Sequence, residues 1–367
     1  MKILLLGEYS NVHWTLAEGL RALGHEVTVV SDGDGWKDYP RDISLKRRSL
    51  SLPGTARYVL DVVRRFPFLR GFDVVQLINP VFLDLTAERM YPFYNYLRRH
   101  NGRIFLAAYG MDHYWVKTGM DCRTFRYSDF NLGTALRHTP DNDVYIRDWL
   151  KGEKGKLNRY IAADCDGIVT GLYEYDACYR PCFPEKTDFI PFPINTGCIQ
   201  PVKPHPEYDG IRFFIGIQKQ RNAYKGTDIM LRALERLQKK YPDRMEIVKA
   251  ESVPFARYQN MMNTSDVLLD QLYSYTPAMN ALLAMAKGLV VVGGGEEENY
   301  EILGEKELRP IINVQPDEQD VYEQIEQRIL LHPETLPTLS QQSTAYIRKH
   351  HDHIQVARRY IDFWTQR

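Results

Sequence analysis

The sequence contains no G-x-G-x-x-G motif, no Cys-x-x-Cys pair and no excess of either charge. The first absence disfavours a dinucleotide-dependent oxidoreductase, whose pyrophosphate rests on such a glycine turn. Five cysteines, Cys122, Cys165, Cys178, Cys182 and Cys198, are an odd number without paired spacing, which argues against zinc or a disulfide framework and for reduced thiols. Lysine and arginine total 47 against 47 aspartates and glutamates, so no global field draws the chain to nucleic acid or to an anionic membrane. No segment approaches the roughly 18 apolar residues of a membrane span. The short run Met1-Lys2-Ile3-Leu4-Leu5-Leu6 stops at Gly7 and Glu8, short of a signal peptide; a cytoplasmic location is expected, with room left for peripheral membrane contact.

What is present is an alternation of strand-like and helix-like segments. A chain of 367 residues exceeds what one core usually organises, and the pattern divides in two. Residues 2–6 form an apolar strand candidate, 14–23 carry helical spacing through Leu16, Ala17, Leu20 and Leu23 ahead of Gly24, and 25–30 return to strand. Such a β-loop-α-β opening implies a parallel sheet with right-handed crossovers, continued by strand candidates at 74–78, 104–108 and 167–170. Residues 81–159 are less regular, rich in Tyr, Phe, Trp, Arg and Asp, and read as helical insertions around a binding surface. The proline-spaced run from Phe189 to Asn195, continuing through Pro201, Pro204 and Pro206, disfavours helix and marks a linker. The alternation then restarts, with strands at 211–217, 245–249, 267–272 and 290–292 and helices at 228–240, 257–262 and 278–287, before a helical tail over 337–367. The expected division is a Rossmann-like domain over 1–195, a linker over 196–210, a second Rossmann-like domain over 211–350 and a terminal helix over 351–367.

In open parallel sheets ligands lie beyond the carboxyl ends of the strands, so the loops there are the candidates. Gly7-Glu8-Tyr9-Ser10-Asn11 follows the first strand and opens a helix whose amides could face an anion, although a tight turn with an N-cap reads the same way. Asp112 and His113 follow the strand ending at Ala108 and can exchange protons, orient a hydroxyl or simply hold structure; His13 lies on the first helix. In the second half, Lys225 and Arg221 place cations beside a helix N-terminus, an arrangement that neutralises a departing diphosphate. Thr276 as N-cap and Pro277 at the first helical position predict a helix from there to Lys287. The hydroxyls of Ser274, Tyr275 and Thr276, with Asn280, would join its amides in an anion cradle, and capping alone would look alike. Gly293, Gly294 and Gly295 let backbone approach a ligand, and of the three acids that follow, Glu296 and then Glu298 are expected to face inward. The run His350-His351-Asp352-His353 does not share a helical face at ligand spacing, and no metal is implied. Twenty-four tyrosines suit carbohydrate contacts, each presenting a ring and a hydroxyl together.

Taken together, Tyr224-Lys225-Gly226-Thr227-Asp228, the later Leu283-Ala284-Met285-Ala286-Lys287-Gly288-Leu289-Val290-Val291-Val292 and the glycine loop after it resemble the donor half of a GT-B glycosyltransferase of the retaining family 4 type. The resemblance covers nearly the whole chain. It implies an α/β fold of two Rossmann-like domains facing a cleft, with the C-terminal helix crossing back to the N-terminal domain. It also implies transfer of a hexose-like sugar, with retention and without a metal or other cofactor, from a nucleotide-diphosphate sugar to a saccharide or lipid-linked acceptor in surface polysaccharide or glycan synthesis. In that family the Lys of Lys-Gly and a preceding Arg bind the donor diphosphate, which carries over to Lys225 and Arg221, and the loop Gly7-Glu8 closes over the donor. Ser274, Tyr275, Thr276, Asn280, Gly294, Gly295, Glu296 and Glu298 are the further donor contacts expected from the loops, with Asn11, His13, Asp112 and His113 on the acceptor side. The family's paired glutamates fall on Tyr275 and Leu283, neither acidic. Either donor recognition has moved to Asn280, Glu296 and nearby hydroxyls, or the protein binds a sugar nucleotide without efficient turnover; a sugar-nucleotide epimerase shares the same two-domain plan.

Overall fold

The computed structural model describes residues 1–202, 209–218 and 222–367. Its strands, in chain order, are β1 (Lys2–Leu6), β2 (Glu26–Ser31), β3 (Ile43–Ser44), β4 (Val74–Leu77), β5 (Arg103–Ala107), β6 (Asn131–Leu132), β7 (Ala135–Leu136), β8 (Gly167–Thr170), β9 (Thr187–Phe189), β10 (Ile211–Ile217), β11 (Met245–Glu251), β12 (Val267–Leu269), β13 (Val290–Gly293) and β14 (Ile312–Asn313). One sheet has the order β3-β2-β1-β4-β5-β8-β9 and a second β11-β10-β12-β13-β14. Every pairing within these two sheets is parallel, whereas β6 and β7 form a separate antiparallel hairpin.

The parallel arrangement explains the strand sequences. Ile3, Leu4, Leu5 and Leu6 are each 0 % exposed, because helices cover both faces of a parallel sheet and leave no side for polar residues. The strands anticipated at 2–6, 167–170 and 211–217 form over those spans. Edge strands β3, β9 and β14 were not anticipated: each is two or three residues long, too short to carry a period.

Two compact units emerge, the first made of Met1–Thr118, Asp143–Asn195 and His353–Arg367, the second of Gly119–Asn142 and Thr196–Asp352. The sequence pattern placed 119–142 in the first domain, but this segment packs with the second. Its partners lie as far as 172 positions away, beyond the reach of any local pattern. The helical tail also divides, into Leu336–His350 in the second unit and His353–Gln366 in the first. Within the first unit Trp364 is 0 % exposed, its ring 6.1 Å from that of Phe105 on β5, and the Tyr360 hydroxyl bonds that of Tyr109. The final helix is therefore a core element and not an appendage. No helix among the described residues is long and apolar enough to cross a membrane.

The turn after β1 sets the first helix, Val12–Ala22. The amides of His13 and Trp14 donate to the Glu8 carboxyl oxygens at 3.3 and 2.9 Å, so the group that meets this helix N-terminus is the chain's own side chain. Burial nevertheless pushes the Glu8 carboxyl up to about 8, because desolvation outweighs those hydrogen bonds.

Two outcomes follow from this packing. Trp364→Ala is expected to cost about 3–5 kcal/mol, read as loss of hydrogen-exchange protection across β5 and β8 while β10 to β13 stay protected. An acid whose folded pKa of about 8 exceeds its ordinary 4.5 contributes stability that is full below pH 4.5 and lost as pH rises through about 8. Glu8→Gln should flatten that decline in urea titrations of the first unit, and an unchanged pH slope would refute the assignment.

Candidate functional site

In the second sheet the chain runs from β10 to β11 on one side and then to β12 on the other. The carboxyl ends of β10 and β12 therefore flank a topological switch point, the place where open α/β sheets bind ligands. Three loops meet there. The Leu272 amide donates to the Lys225 carbonyl at 2.9 Å, and the Glu296 amide to the Tyr275 carbonyl at 3.0 Å. Gly226, at φ 72°, lies so close to the second loop that a Cβ on it would stand 2.7 Å from that of Leu272. A Cβ on Gly294 would stand 2.2 Å from the Ser274 carbonyl oxygen. Only glycine lets these backbones approach so closely. Lys225 ends the short helix Asn222–Lys225, and Gly226 opens the helix Thr227–Lys240. Arg221 lies outside the described residues.

The helix after β12 begins at Met279, with extended Ala278 as its cap, and not at Pro277 with Thr276 as cap. The reason is tertiary: the Glu296 amide takes the Tyr275 carbonyl, and Ser274 Oγ bonds the Thr276 carbonyl at 2.7 Å, which keeps 274–278 unwound. Asn280, in the first turn, accepts from the Tyr258 hydroxyl at 3.0 Å and donates to Asp270 at 3.1 Å. Its amide is held by the sheet's own loops.

Glu296 is the hub. Its Oε1 accepts from Tyr127 (2.6 Å), Gln315 (2.7 Å) and Asn313 (2.9 Å), and its Oε2 from Arg126 (2.8 Å). Burial alone would push this carboxyl up, yet the bonds from Asn313, Tyr127 and Gln315 and the Arg126 charge outweigh it and hold the group below its ordinary value. Arg126 also bonds Glu298, stacks 4.7 Å from the Tyr275 ring centre and donates its backbone amide to the Tyr275 hydroxyl at 2.6 Å. Farther along the same segment, Arg137 donates to the Ala223 carbonyl at 2.8 Å and lies 3.3 Å from the Tyr273 ring centre, and Tyr224 donates to Asp129 at 2.5 Å. None of Arg126, Tyr127, Arg137, Asn313 and Gln315 was singled out from sequence. The sole signal was the density of Arg, Tyr and Asp in 125–129, which names no partner.

The first sheet has its own switch point between β1 and β4. A cavity of about 240 Å³ opens beyond those strand ends, lined among others by Glu8, Tyr9, Asp32, Tyr58, Phe82 and Asp84. Burial, with Asp34 and Asp84 nearby, pushes the Asp32 carboxyl up. Asn11 donates to Thr15 at 3.2 Å. His13 is 0 % exposed, its Nδ1 bonds the Gly7 carbonyl at 2.8 Å, and burial drives it down to about 4, so the ring stays neutral. Asp112 is equally buried and accepts from the Trp115 amide at 2.8 Å and the Tyr179 hydroxyl at 2.7 Å; desolvation lifts its carboxyl to about 6. His113 donates its amide to Asn158 at 2.9 Å and bonds the Trp149 carbonyl through Nδ1 at 2.8 Å. Gly7 and Glu8 thus line the cavity, whereas His13, Asp112 and His113 are buried on hydrogen bonds within their own unit.

No protein family matches the chain by sequence, and no curated protein does. In three dimensions it is similar to sucrose-phosphate synthase from Thermosynechococcus elongatus, at 13 % identity and a TM-score of 0.61 over 100 % of this chain and 99 % of that one. HepE from Anabaena, solved with UDP and glucose, gives 11 % and 0.61 over 100 % of both. A protein from Listeria monocytogenes assigned as a UDP-N-acetylglucosamine 2-epimerase gives 12 % and 0.56 over 98 % of this chain and 94 % of that one. The chain has the GT-B fold, two Rossmann-like domains each built on a parallel sheet, over its full length.

Proposed function

We propose that the chain moves a hexose-like sugar, with retention and without a metal ion, from a nucleotide-diphosphate sugar to a saccharide or lipid-linked acceptor, in surface polysaccharide or glycan synthesis. The observation that carries this reading is the meeting of Lys225-Gly226, Leu272 to Thr276 and Gly294 to Glu296 at the switch point of the second sheet. In the reaction the bond between the anomeric carbon and the phosphate oxygen breaks, the acceptor oxygen bonds to that carbon, and the acceptor proton passes to the departing diphosphate. Lys225, with Arg221, would neutralise the charge that grows on the diphosphate. Ser274, Tyr275, Thr276, Gly294 and Gly295 would line the donor through hydroxyls and backbone.

The acceptor would enter the cavity of the first unit. There Asp32 and Asp84 can accept sugar hydroxyls, and Tyr9 and Tyr58 offer rings to a sugar face. Glu8, near neutrality at physiological pH, can present a carboxyl proton as well as lone pairs. In this reading Asn11, His13, Asp112 and His113 shape the acceptor side from behind and exchange no proton. An epimerase would need acid and base groups converging on the donor sugar, and Glu296, the buried acid of the donor loops, already accepts hydrogen bonds from four side chains of its own unit.

Lys225→Ala is expected to lower kcat by about 10²- to 10³-fold, as for loss of one charge-stabilising donor, in an assay that follows both donor consumption and glycosylated product. Unchanged turnover would remove Lys225 from the chemistry. A thermal-shift screen of nucleoside diphosphates should find one that stabilises the native state by about 2.7 kcal/mol at a hundredfold excess over its Kd; no shift with any would sink the donor reading.

A further inference from the structure

We infer that Gly119–Asn142 is a fixed wall of the donor site, and that Arg126, Tyr127 and Glu296 are positioning residues that set Tyr275 and the glycine loop; the inference rests on the donor reading of those loops. The segment touches each of the three loops. Arg137 and Asp129 hold the turn before Lys225, Arg137 stacks on Tyr273, and Arg126 and Tyr127 hold Tyr275, Glu296 and Glu298.

Glu296 is committed to this arrangement: its Oε1 carries three donors, from Tyr127, Gln315 and Asn313, and its Oε2 the Arg126 guanidinium. Its amide, bonded to the Tyr275 carbonyl, passes the position of the carboxylate directly to the backbone of the neighbouring loop. Tyr275 is held on both sides, with its hydroxyl on the Arg126 amide and its ring under the Arg126 guanidinium. A half-exposed arginine is rigid here because two carboxylates and a ring fix its fork.

The burial pattern separates a wall from a lid. Phe125, Tyr127 and Tyr275 are each 2 % exposed and Phe130 1 %. Lifting the segment would bring all four rings into water and strip Glu296 of Arg126 and Tyr127 at once. No single small ligand repays that, so the segment stays seated while donor binds and leaves.

Calorimetric titration of UDP, ADP and GDP tests this on Arg126→Ala, Arg126→Lys and Tyr127→Phe. Tyr127→Phe keeps the buried ring and removes one donor to Glu296, so it remains informative if Arg126→Ala fails to fold. Nucleotide affinity should fall about fivefold in Tyr127→Phe, the scale of one hydrogen bond, and further in Arg126→Ala. Arg126→Lys, which keeps the charge and loses the fork, should stay weak; full rescue by lysine would reduce the role to bulk charge and overturn the inference. Affinity within twofold of wild type would overturn it as well, and tighter binding would make the segment a lid. If the wild-type protein binds none of the three nucleotides, the donor reading fails by itself. Hydrogen exchange of amides 293–298 in Tyr127→Phe then decides the positioning role, with faster exchange expected and unchanged exchange overturning it.

Discussion

A desolvated carboxylate must be satisfied from within, and Glu296 meets that demand by drawing donors from two separate stretches of chain, 126–127 and 313–315. Much of the second unit's loop geometry depends on it. Its amide fixes Tyr275, Asn313 in turn accepts from the Gly295 amide at 2.9 Å, and the segment carrying Arg126 and Tyr127 is held against the end of the sheet.

The first unit applies the opposite solution to the same kind of group. Glu8 faces helix amides and a cavity, and burial outweighs those amides and raises its pKa, whereas hydrogen-bond donors and Arg126 outweigh burial at Glu296. Two buried glutamates in loops that follow strands of the two parallel sheets therefore differ in protonation, one able to hold a proton near neutrality and one kept charged.

The fold was legible where residues are apolar in runs. β1, β8 and β10 could be read because parallel strands are covered on both faces and need no alternation, and Gly24 and Gly226 mark the turns around helices. The candidate site was legible only in part. Lys225-Gly226 and the glycine loop stood out because phosphate approach demands cations and missing side chains. Thr276 and Pro277 misled, since local capping chemistry yielded to a bond from Glu296. His13, Asp112 and His113 could exchange protons as far as the sequence goes, and only the fold pairs them with the Gly7 carbonyl, the Tyr179 hydroxyl and the Trp149 carbonyl.

By itself, then, the sequence determined the two parallel sheets, the loops at their carboxyl ends and the cationic start of the helix after β10, because periodicity, glycine and charge act over a few residues. Tertiary structure alone decided that Gly119–Asn142 belongs with the second unit and that Glu296 draws its donors from that segment and from residues 313 and 315. Each of those outcomes is a contact between residues tens to hundreds of positions apart, and the burial that makes such contacts strong is absent until the chain has folded.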